Sequence, residues 1–218
     1  YICGGRTLGP AGGEQDPGGT GERARGPDSL SSVECFDPRT GTWEDVEPMR
    51  QSRFLSSGQV VRDKLYLCGG CCIDVNEEAM HVVTCRGEIR KCIKPYLLAS
   101  VECFAPDSGW KDMPKLMEPR CDVATASSAR CIYLVGGNDG AMPLSSVERF
   151  DLMSLTWEAL PRMSERRTSC LATVTERGQL VVCGGHSGTT ALSSTECYDP
   201  KIGNWAVIPS MASHRTCA

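Results

Sequence analysis

The sequence predicts an all-β protein built from four-stranded antiparallel units that repeat along the chain. Four glycine pairs each close a short apolar run, at Gly4-Gly5, Gly69-Gly70, Gly136-Gly137 and Gly184-Gly185. Four tryptophans recur with them, Trp43, Trp110, Trp157 and Trp205, and the next glycine pair begins 26, 26 and 27 residues after the first three. Such constant spacing identifies an internal repeat, and a repeat decides the fold class before any single element does.

Each unit contains four short predicted strands in a fixed order. An arginine opens a run of small and β-branched residues, as in RTSCLATVT, and an apolar strand that ends at the glycine pair follows. The third strand, such as SSVECFDP, alternates in polarity and ends in an Asp-Pro turn signal, and the fourth contains the tryptophan. Glycine at the end of the second strand predicts a positive φ or a close backbone approach.

A single sheet of four short strands cannot bury both of its faces in water. The units are therefore predicted to pack radially, as the blades of a β-propeller. One tryptophan per unit suits a side chain that packs between adjacent blades.

The glycine pair, the SSVE-x-F-D-P line and the tryptophan with a trailing Pro-x-Met resemble the kelch repeat. The segments LSSVERFD and SSTECYDP resemble the BTB-kelch proteins in particular. The resemblance implies a kelch-type β-propeller, with four blades of a six-bladed ring in this chain. Closure of a four-bladed ring by the last residues, SHRTCA, is the alternative. Unit two departs most from the pattern, since Ala105 stands where the other units have Asp.

We expect a single propeller domain over residues 1–218, with units at approximately 1–49, 50–117, 118–163 and 164–211 and the start of another at 212–218. Insertions at approximately 6–28 and 71–98 lengthen the first two units. The first insertion is rich in Gly and Pro, which predicts a disordered linker. Because the chain begins YICGG, without Met, it is interpreted as a piece of a longer polypeptide.

The charge balance excludes two classes of partner. The chain has 23 Lys+Arg against 27 Asp+Glu and no basic block, whereas binding to nucleic acid or to an anionic membrane needs a concentrated positive face. Apolar runs fall short of the ~20 residues that span a bilayer. We therefore expect no nucleic-acid and no membrane partner, and a cytoplasmic location.

The fourteen cysteines divide into repeat positions and an insertion cluster. Six occupy two positions of the repeat: Cys3, Cys68, Cys183, Cys35, Cys103 and Cys197. Residues at one position of successive blades lie around a ring, too far apart to share a metal ion, so these six are predicted to pack as small hydrophobes. Four lie in the second insertion with His81: Cys71, Cys72, Cys85 and Cys92. An exposed loop with inert thiols is the favoured interpretation, while a structural zinc site or a redox-sensing thiol stays open. No cofactor or metal is predicted.

The candidate site follows from the resemblance, which implies that the loops after each glycine pair and the openings of the blades meet on one face. The residues after the glycine pairs are Arg6, Cys71, Asn138 and His186, and the blade-opening arginines are Arg53, Arg120, Arg167 and Arg215. By resemblance, the arginines hold an acidic peptide, since a guanidinium binds a carboxylate bidentately. The alternative for each opening arginine is an ion pair with a neighbouring glutamate such as Glu34 or Glu148.

The sequence shows no catalytic constellation, because none of the three histidines falls in a motif with a nucleophile. We expect a non-enzymatic module that binds a protein or an acidic peptide. The resemblance implies substrate recognition within a cullin-RING ubiquitin ligase adaptor, through a BTB domain outside this chain. An actin-binding scaffold and an enzyme of the kelch-type oxidase or epimerase class are the alternatives.

Overall fold

The computed structural model describes residues 1–5, 29–73, 80–83, 89–92 and 95–216. Nineteen β-strands are the regular elements of these ranges, which confirms the predicted all-β class. Within the same ranges, no helix is long and apolar enough to cross a lipid bilayer. The chain forms two compact units, of which unit 1 contains Tyr1–Phe54 and Cys71–Tyr96, and unit 2 contains Leu55–Gly70 and Leu97–Ala218.

Unit 1 contains one three-stranded antiparallel sheet, called blade 1. Its strands are β1 (Ile2–Cys3), β2 (Val33–Asp37) and β3 (Thr42–Val46), in that order across the sheet. The second insertion, predicted as a loop, contributes β6 (Cys71–Cys72) and an antiparallel hairpin of β7 (Met80–Val83) and β8 (Ile89–Cys92), and β9 (Tyr96–Leu97) follows. The first insertion, 6–28, lies outside the described residues.

Unit 2 contains three four-stranded antiparallel sheets, called blades 2, 3 and 4. Blade 2 is β4 (Ser57–Val61), β5 (Lys64–Cys68), β10 (Val101–Ala105) and β11 (Gly109–Met113). Blade 3 is β12 (Ala124–Ser127), β13 (Cys131–Val135), β14 (Val147–Asp151) and β15 (Thr156–Leu160). Blade 4 is β16 (Leu171–Val174), β17 (Leu180–Cys183), β18 (Thr195–Asp199) and β19 (Asn204–Ile208). In each blade the strands pair in chain order, as the repeat predicts.

The core of unit 2 lies between its blades. Tyr66 and Cys103 of blade 2 pack with Ile132 and Phe150 of blade 3, and the opposite face of blade 3 packs on blade 4. All five residues of β13 are therefore buried, although an isolated sheet would bury alternate positions only. This two-sided burial is what the propeller interpretation requires.

The glycine pairs have the backbone conformation that the sequence predicts. In blade 3, Gly136 has a φ of 61° and Gly137 a φ of 94°. A Cβ on Gly136 would lie 2.2 Å from the carbonyl oxygen of Arg167, so only glycine admits that backbone contact.

The tryptophans of blades 3 and 4 pack against the preceding blade, as predicted. Trp157 donates from Nε1 to the carbonyl oxygen of Pro114 at 2.8 Å, and Trp205 donates to that of Pro161 at 2.7 Å. Trp43 differs in being 52% exposed, although it keeps the contact with an aromatic ring of its own blade that every tryptophan makes, with 5.2 Å between its ring centroid and that of Phe36.

Candidate functional site: the loop face of unit 2

Two loops with the same geometry leave the glycine pairs of blades 3 and 4. We define the loop face as residues 138–143 and 186–191. Each loop begins at a residue that forms a β-bridge to the blade opening, Asn138 to Cys121 and His186 to Thr168. Each also closes on itself through a second bridge, so that both loops are fixed at their two ends.

The two predicted binding residues of these loops, Asn138 and His186, accept hydrogen bonds from the loop backbone. Asn138 accepts a hydrogen bond through Oδ1 from the amide of Gly140 at 2.7 Å, and His186 accepts one through Nδ1 from the amide of Gly188 at 3.0 Å. The structure places both residues on the face, but it uses one polar atom of each to hold the loop.

The loop face also presents side chains that the sequence interpretation did not select. Met142 is 45% exposed, and its sulfur contacts Nη1 of the exposed Arg166. Asp139 accepts hydrogen bonds from the amides of Ala141 and Met142, which hold the pKa of its carboxyl below the ordinary value, and Arg166 acts in the same direction. The loop sequences differ too much between units for a repeat pattern to reveal these positions.

Arg120 is buried in an ion pair, and this corrects the expectation that it holds a peptide. Its Nη2 lies 2.7 Å from Oε1 of Glu148 and 3.1 Å from Oε2 of Glu118. Its Nη1 donates to the carbonyl oxygen of Gly136 at 3.1 Å. The pairing of an opening arginine with a third-strand glutamate is the alternative that the sequence left open.

Arg167 repeats the same arrangement in blade 4. Its Nη2 lies 3.0 Å from Oε1 of Glu196 and 2.9 Å from Oε2 of Glu165, and Nη1 donates to the carbonyl oxygen of Gly184 at 2.9 Å. Both guanidinium groups are completely buried, and so is Arg53 in unit 1. A completely buried guanidinium is not accessible to a ligand, so Arg53, Arg120 and Arg167 do not belong to the predicted set of peptide-binding arginines.

The opening arginines connect successive blades through their backbones. The carbonyl oxygen of Arg120 accepts from the amide of Gly70 in blade 2, at 2.9 Å, while its side chain lies in blade 3. The carbonyl oxygen of Arg167 accepts from Gly137 in blade 3, at 2.8 Å, while its side chain lies in blade 4. These residues therefore have a structural role that the sequence spacing alone did not reveal.

Two of the predicted binding arginines remain, Arg215 and Arg6. Arg215 is exposed. Its carbonyl oxygen nevertheless accepts a hydrogen bond from the amide of Gly185 in blade 4, at 2.7 Å, as the carbonyl oxygens of Arg120 and Arg167 accept from glycines of blades 2 and 3. A cavity of about 560 Å³ opens beside it, between His214, Glu165 and the segment 190–194. Arg6 lies outside the described residues.

A third set of residues connects the blade openings and was missed by the sequence analysis. Leu55, Asp122 and Ser169 each stand two positions after an opening arginine, and each has a positive φ, between 51° and 53°. The amide of Asp122 donates to the carbonyl oxygen of Leu55 at 2.9 Å, and that of Ser169 donates to Asp122 at 3.2 Å. The Asp122 carboxylate also accepts from the Thr168 hydroxyl at 2.6 Å. Their shared position, two residues after each arginine, could have revealed this set in the sequence, but the three side chains differ in chemistry.

The cysteines at the start of the second insertion do not lie in an exposed loop. Cys71 and Cys72 are both buried. The hydroxyl oxygens of Ser29 and Ser52 lie 3.4 and 3.1 Å from Cys72 Sγ. Burial acts to raise the pKa of the Cys72 thiol, but hydrogen bonds led by those of Ser29 and Ser52 outweigh it, so the pKa is lowered. The expectation of an exposed loop is therefore wrong for these two thiols, while their inertness stays a prediction.

The zinc and redox interpretations of the insertion stay predictions. Cys85 lies outside the described residues, and the structure describes only the backbone of His81 and Cys92. Among the residues that are described, no group of three or more His, Cys, Asp and Glu side chains is placed to hold a metal ion.

The repeats and their blades define a class of protein, the kelch-type β-propeller. The family model for the kelch motif matches residues 18–50, 119–164 and 167–212, which together make up more than half of the chain. The chain belongs to the kelch-repeat family.

Curated relatives agree with this assignment. Kelch domain-containing protein 8B of Rattus norvegicus is 27% identical over 146 residues, which cover 65% of this chain and 38% of the relative. Kelch repeat and BTB domain-containing protein 13 of Homo sapiens is 27% identical over 60% of this chain and 25% of its own length. Kelch-like protein 25 of Xenopus tropicalis is 29% identical over 71% of this chain. The matches thus span well under half of each relative's length.

A solved structure shows the same fold at low sequence identity. The structure of YjhT has a TM-score of 0.69 to this chain, covers 90% of it, and is 13% identical. At this identity the likeness concerns the fold alone.

Proposed function

We propose that this chain is a protein-interaction module that binds a peptide or protein on the loop face. The observation that carries the proposal is that two loops of different sequence, 138–143 and 186–191, are held in one conformation by the same pair of β-bridges. Rigid loops on a packed scaffold bind with a small loss of conformational entropy. Curated relatives that share the kelch repeat support an interaction role.

An acidic partner remains the preferred ligand class, and its cations are the predicted Arg215 together with Arg166, which the sequence did not indicate. Arg166 and Arg215 are exposed, and among the described residues neither forms an ion pair within 4 Å. Met142 lies against Arg166 and adds an apolar contact. A carboxylate on the partner would find guanidinium donors here that are already in contact with solvent.

Charge reversal tests the face against a matched control. Arg166→Glu lies beside the loops, whereas Arg177→Glu changes another exposed arginine, in the turn between β16 and β17 at the other end of the strands. We expect Arg166→Glu to weaken capture of partners by about tenfold or more, while Arg177→Glu leaves capture unchanged. Equal capture by both variants contradicts the proposal.

Site-specific crosslinking locates the contact without relying on charge. A photo-crosslinking amino acid at position 142 should attach to the partner, and the same group at the exposed position 202, in the turn between β18 and β19, should not. Attachment only at position 202 would place the binding surface at the opposite end of the blades.

A finer proposal is that the module selects substrates for a cullin-RING ubiquitin ligase. The support is analogy, since two relatives are named as BTB domain-containing proteins. The cullin contact would come from a BTB domain outside residues 1–218. Co-purification of the parent protein with a cullin, retained in Arg166→Glu while substrate is lost, is the expected result. A parent protein that binds no cullin would remove the ligase role and leave the interaction module intact.

We also propose a cytoplasmic location. The eleven described cysteines whose side chains are placed are all free thiols, as is usual in a reducing compartment. Microscopy of the tagged parent protein tests this, and a secreted or luminal signal contradicts it.

A further inference from the structure

A cavity with three cations in its lining lies between blades 2 and 3. Its volume is about 380 Å³, and it opens at the end of the strands opposite the loop face. Arg62, Lys64 and Lys111 line it, and no acidic side chain does so among the described residues. Asp63 and Asp107, in the neighbouring turns, are not part of the lining.

The position of Ala105 explains why these cations have no internal counter-charge. The other blades carry Asp37, Asp151 and Asp199 at this repeat slot. In blade 4, Gln179 donates to the Asp199 carboxylate at 3.0 Å, and Lys64 is the blade 2 residue that corresponds to Gln179. Blade 2 therefore keeps a donor at this slot and lacks the carboxylate that would accept from it.

The second cation results from a change in the fourth strand. Lys111 lies across from Cys103, at the slot that Glu158 occupies across from Arg149 in blade 3. Arg149 and Glu158 form an ion pair there. With Cys103 and Lys111 in place of that pair, blade 2 has free volume and an uncompensated positive charge.

The charges of both lysines affect the pKa of Cys103, which lines the cavity. Burial raises the pKa of the Cys103 thiol, and the charges of Lys64 and Lys111 act in the opposite direction. Neither lysine forms an ion pair within 4 Å among the described residues.

The apolar wall of the cavity comes from a turn of blade 3 that departs from the repeat. Leu152, Met153 and Leu155 line the cavity, at slots where blade 4 has Pro200, Lys201 and Gly203. Leu155 has a φ of 56°, in the left-handed region that L residues adopt at a cost, whereas blades 1 and 4 have glycine there. Because strained backbone positions cluster at binding sites, Leu155 directs attention to this cavity.

We propose that this cavity binds a small organic anion, whose carboxylate or phosphate group lies between Lys64 and Lys111 beside Ala105 and whose compact apolar body packs on Leu152 and Leu155. The ligand's anionic group would replace the carboxylate that the other blades supply from their own chain. The site is separate from the loop face, so partner binding and anion binding can be measured independently.

Two probes carry the same hexyl chain and differ only in the anionic group, heptanoate and hexyl phosphate, and hexylammonium is the charge control. We expect saturable shifts of the ε-methyl NMR signals of Met113 and Met153, which line the cavity, with a Kd on the order of 1 mM. Binding of either anion supports the proposal and identifies the preferred anionic group. Saturation by neither anion, or equal shifts with hexylammonium, overturns it.

Ala105→Asp is the decisive variant, because it restores the carboxylate of the other blades. We expect it to fold normally and to bind the anion about tenfold more weakly, since the internal carboxylate occupies the lysines. Leu155→Gly removes the apolar wall and relieves the positive φ, so it should lose binding while its unfolding midpoint stays at or above that of the original chain. Unchanged affinity in both variants overturns the proposal.

Discussion

Arg120 and Glu148 form an ion pair of 2.7 Å in which both side chains are buried. The carboxylate is used completely, since its other oxygen accepts from the amide of Met117 at 2.9 Å. Burial lowers the pKa of the Arg120 guanidinium, and Glu148 opposes that effect. The pair therefore contributes to the assembly of the blades, and its loss should affect folding before it affects binding.

Removal of one partner of this pair should destabilise the protein strongly. Arg120→Ala leaves Glu148 as a buried, unpaired charge, and we expect a loss of about 3–5 kcal/mol in the free energy of unfolding. Arg166→Ala changes an exposed arginine of the same unit and should cost about 0.5 kcal/mol or less. Urea unfolding measures both, and equal midpoints for the two variants would contradict the assignment.

The glycine pair offers a test of backbone contact. Gly136→Ala should cost more than the ordinary positive-φ penalty of about 1–2 kcal/mol, because its Cβ would lie 2.2 Å from the Arg167 carbonyl oxygen. Gly178→Ala has a similar φ, 79°, but its Cβ would meet open space, so it should show the φ penalty alone. A Gly178→Ala loss as large as that of Gly136→Ala would mean that the contact has no effect.

The hydrogen bond of Trp157 separates polarity from packing. Trp157→Phe keeps a ring near Phe150, whose centroid lies 4.9 Å away, but loses the donor to Pro114. We expect a loss of about 1 kcal/mol, against about 3–5 kcal/mol for Trp157→Ala. Thermal unfolding of the two variants checks this order, and its reversal would show that the ring contributes little.

Alkaline pH should lower the stability of unit 2, because the Cys170 thiol and the Tyr66 hydroxyl have a higher pKa in the folded state than in the unfolded state. Burial raises the pKa of Cys170 from 9.0 to about 12 and that of Tyr66 from 10.0 to about 12. The folded state then holds protons that the unfolded state releases, so stability is full below pH 9 and falls as the pH rises toward 12. Cys170→Ala should show a shallower fall in its urea midpoint over this range. Parallel curves would indicate that Cys170 does not contribute.

Much of the fold could be predicted because the repeat has a clear physical signature. A glycine pair marks the end of a second strand because its backbone has positive φ, and a tryptophan marks a fourth strand that packs on a neighbouring blade. The positions of Gly136 and Trp157 in the sequence therefore indicated two strands of blade 3 and a contact between blades. The hairpin of the second insertion was not predicted, because no other unit contains a counterpart to compare with it.

The candidate site was predicted less well, since the repeat shows which residues recur and not which way they point. Arg120 recurs because it is structural, whereas Met142 and Arg166, which face solvent, vary between units. The cavity lysines were missed for a related reason. Ala105 was seen as a departure from the pattern, but its consequence for Lys64 depends on the pairing of two strands that are distant in sequence.

The dual attachment of Arg120 and Arg167 has a consequence for how unit 2 unfolds. The backbone of each of these residues is hydrogen-bonded to one blade, and its side chain lies in the next. The free energy of unfolding of each blade therefore depends on whether its neighbour is folded. The three blades should then behave as a nearest-neighbour coupled array, in which damage to an internal blade spreads in both directions and damage to a terminal blade spreads in one. Local opening measured by hydrogen exchange should accordingly be rarest in blade 3.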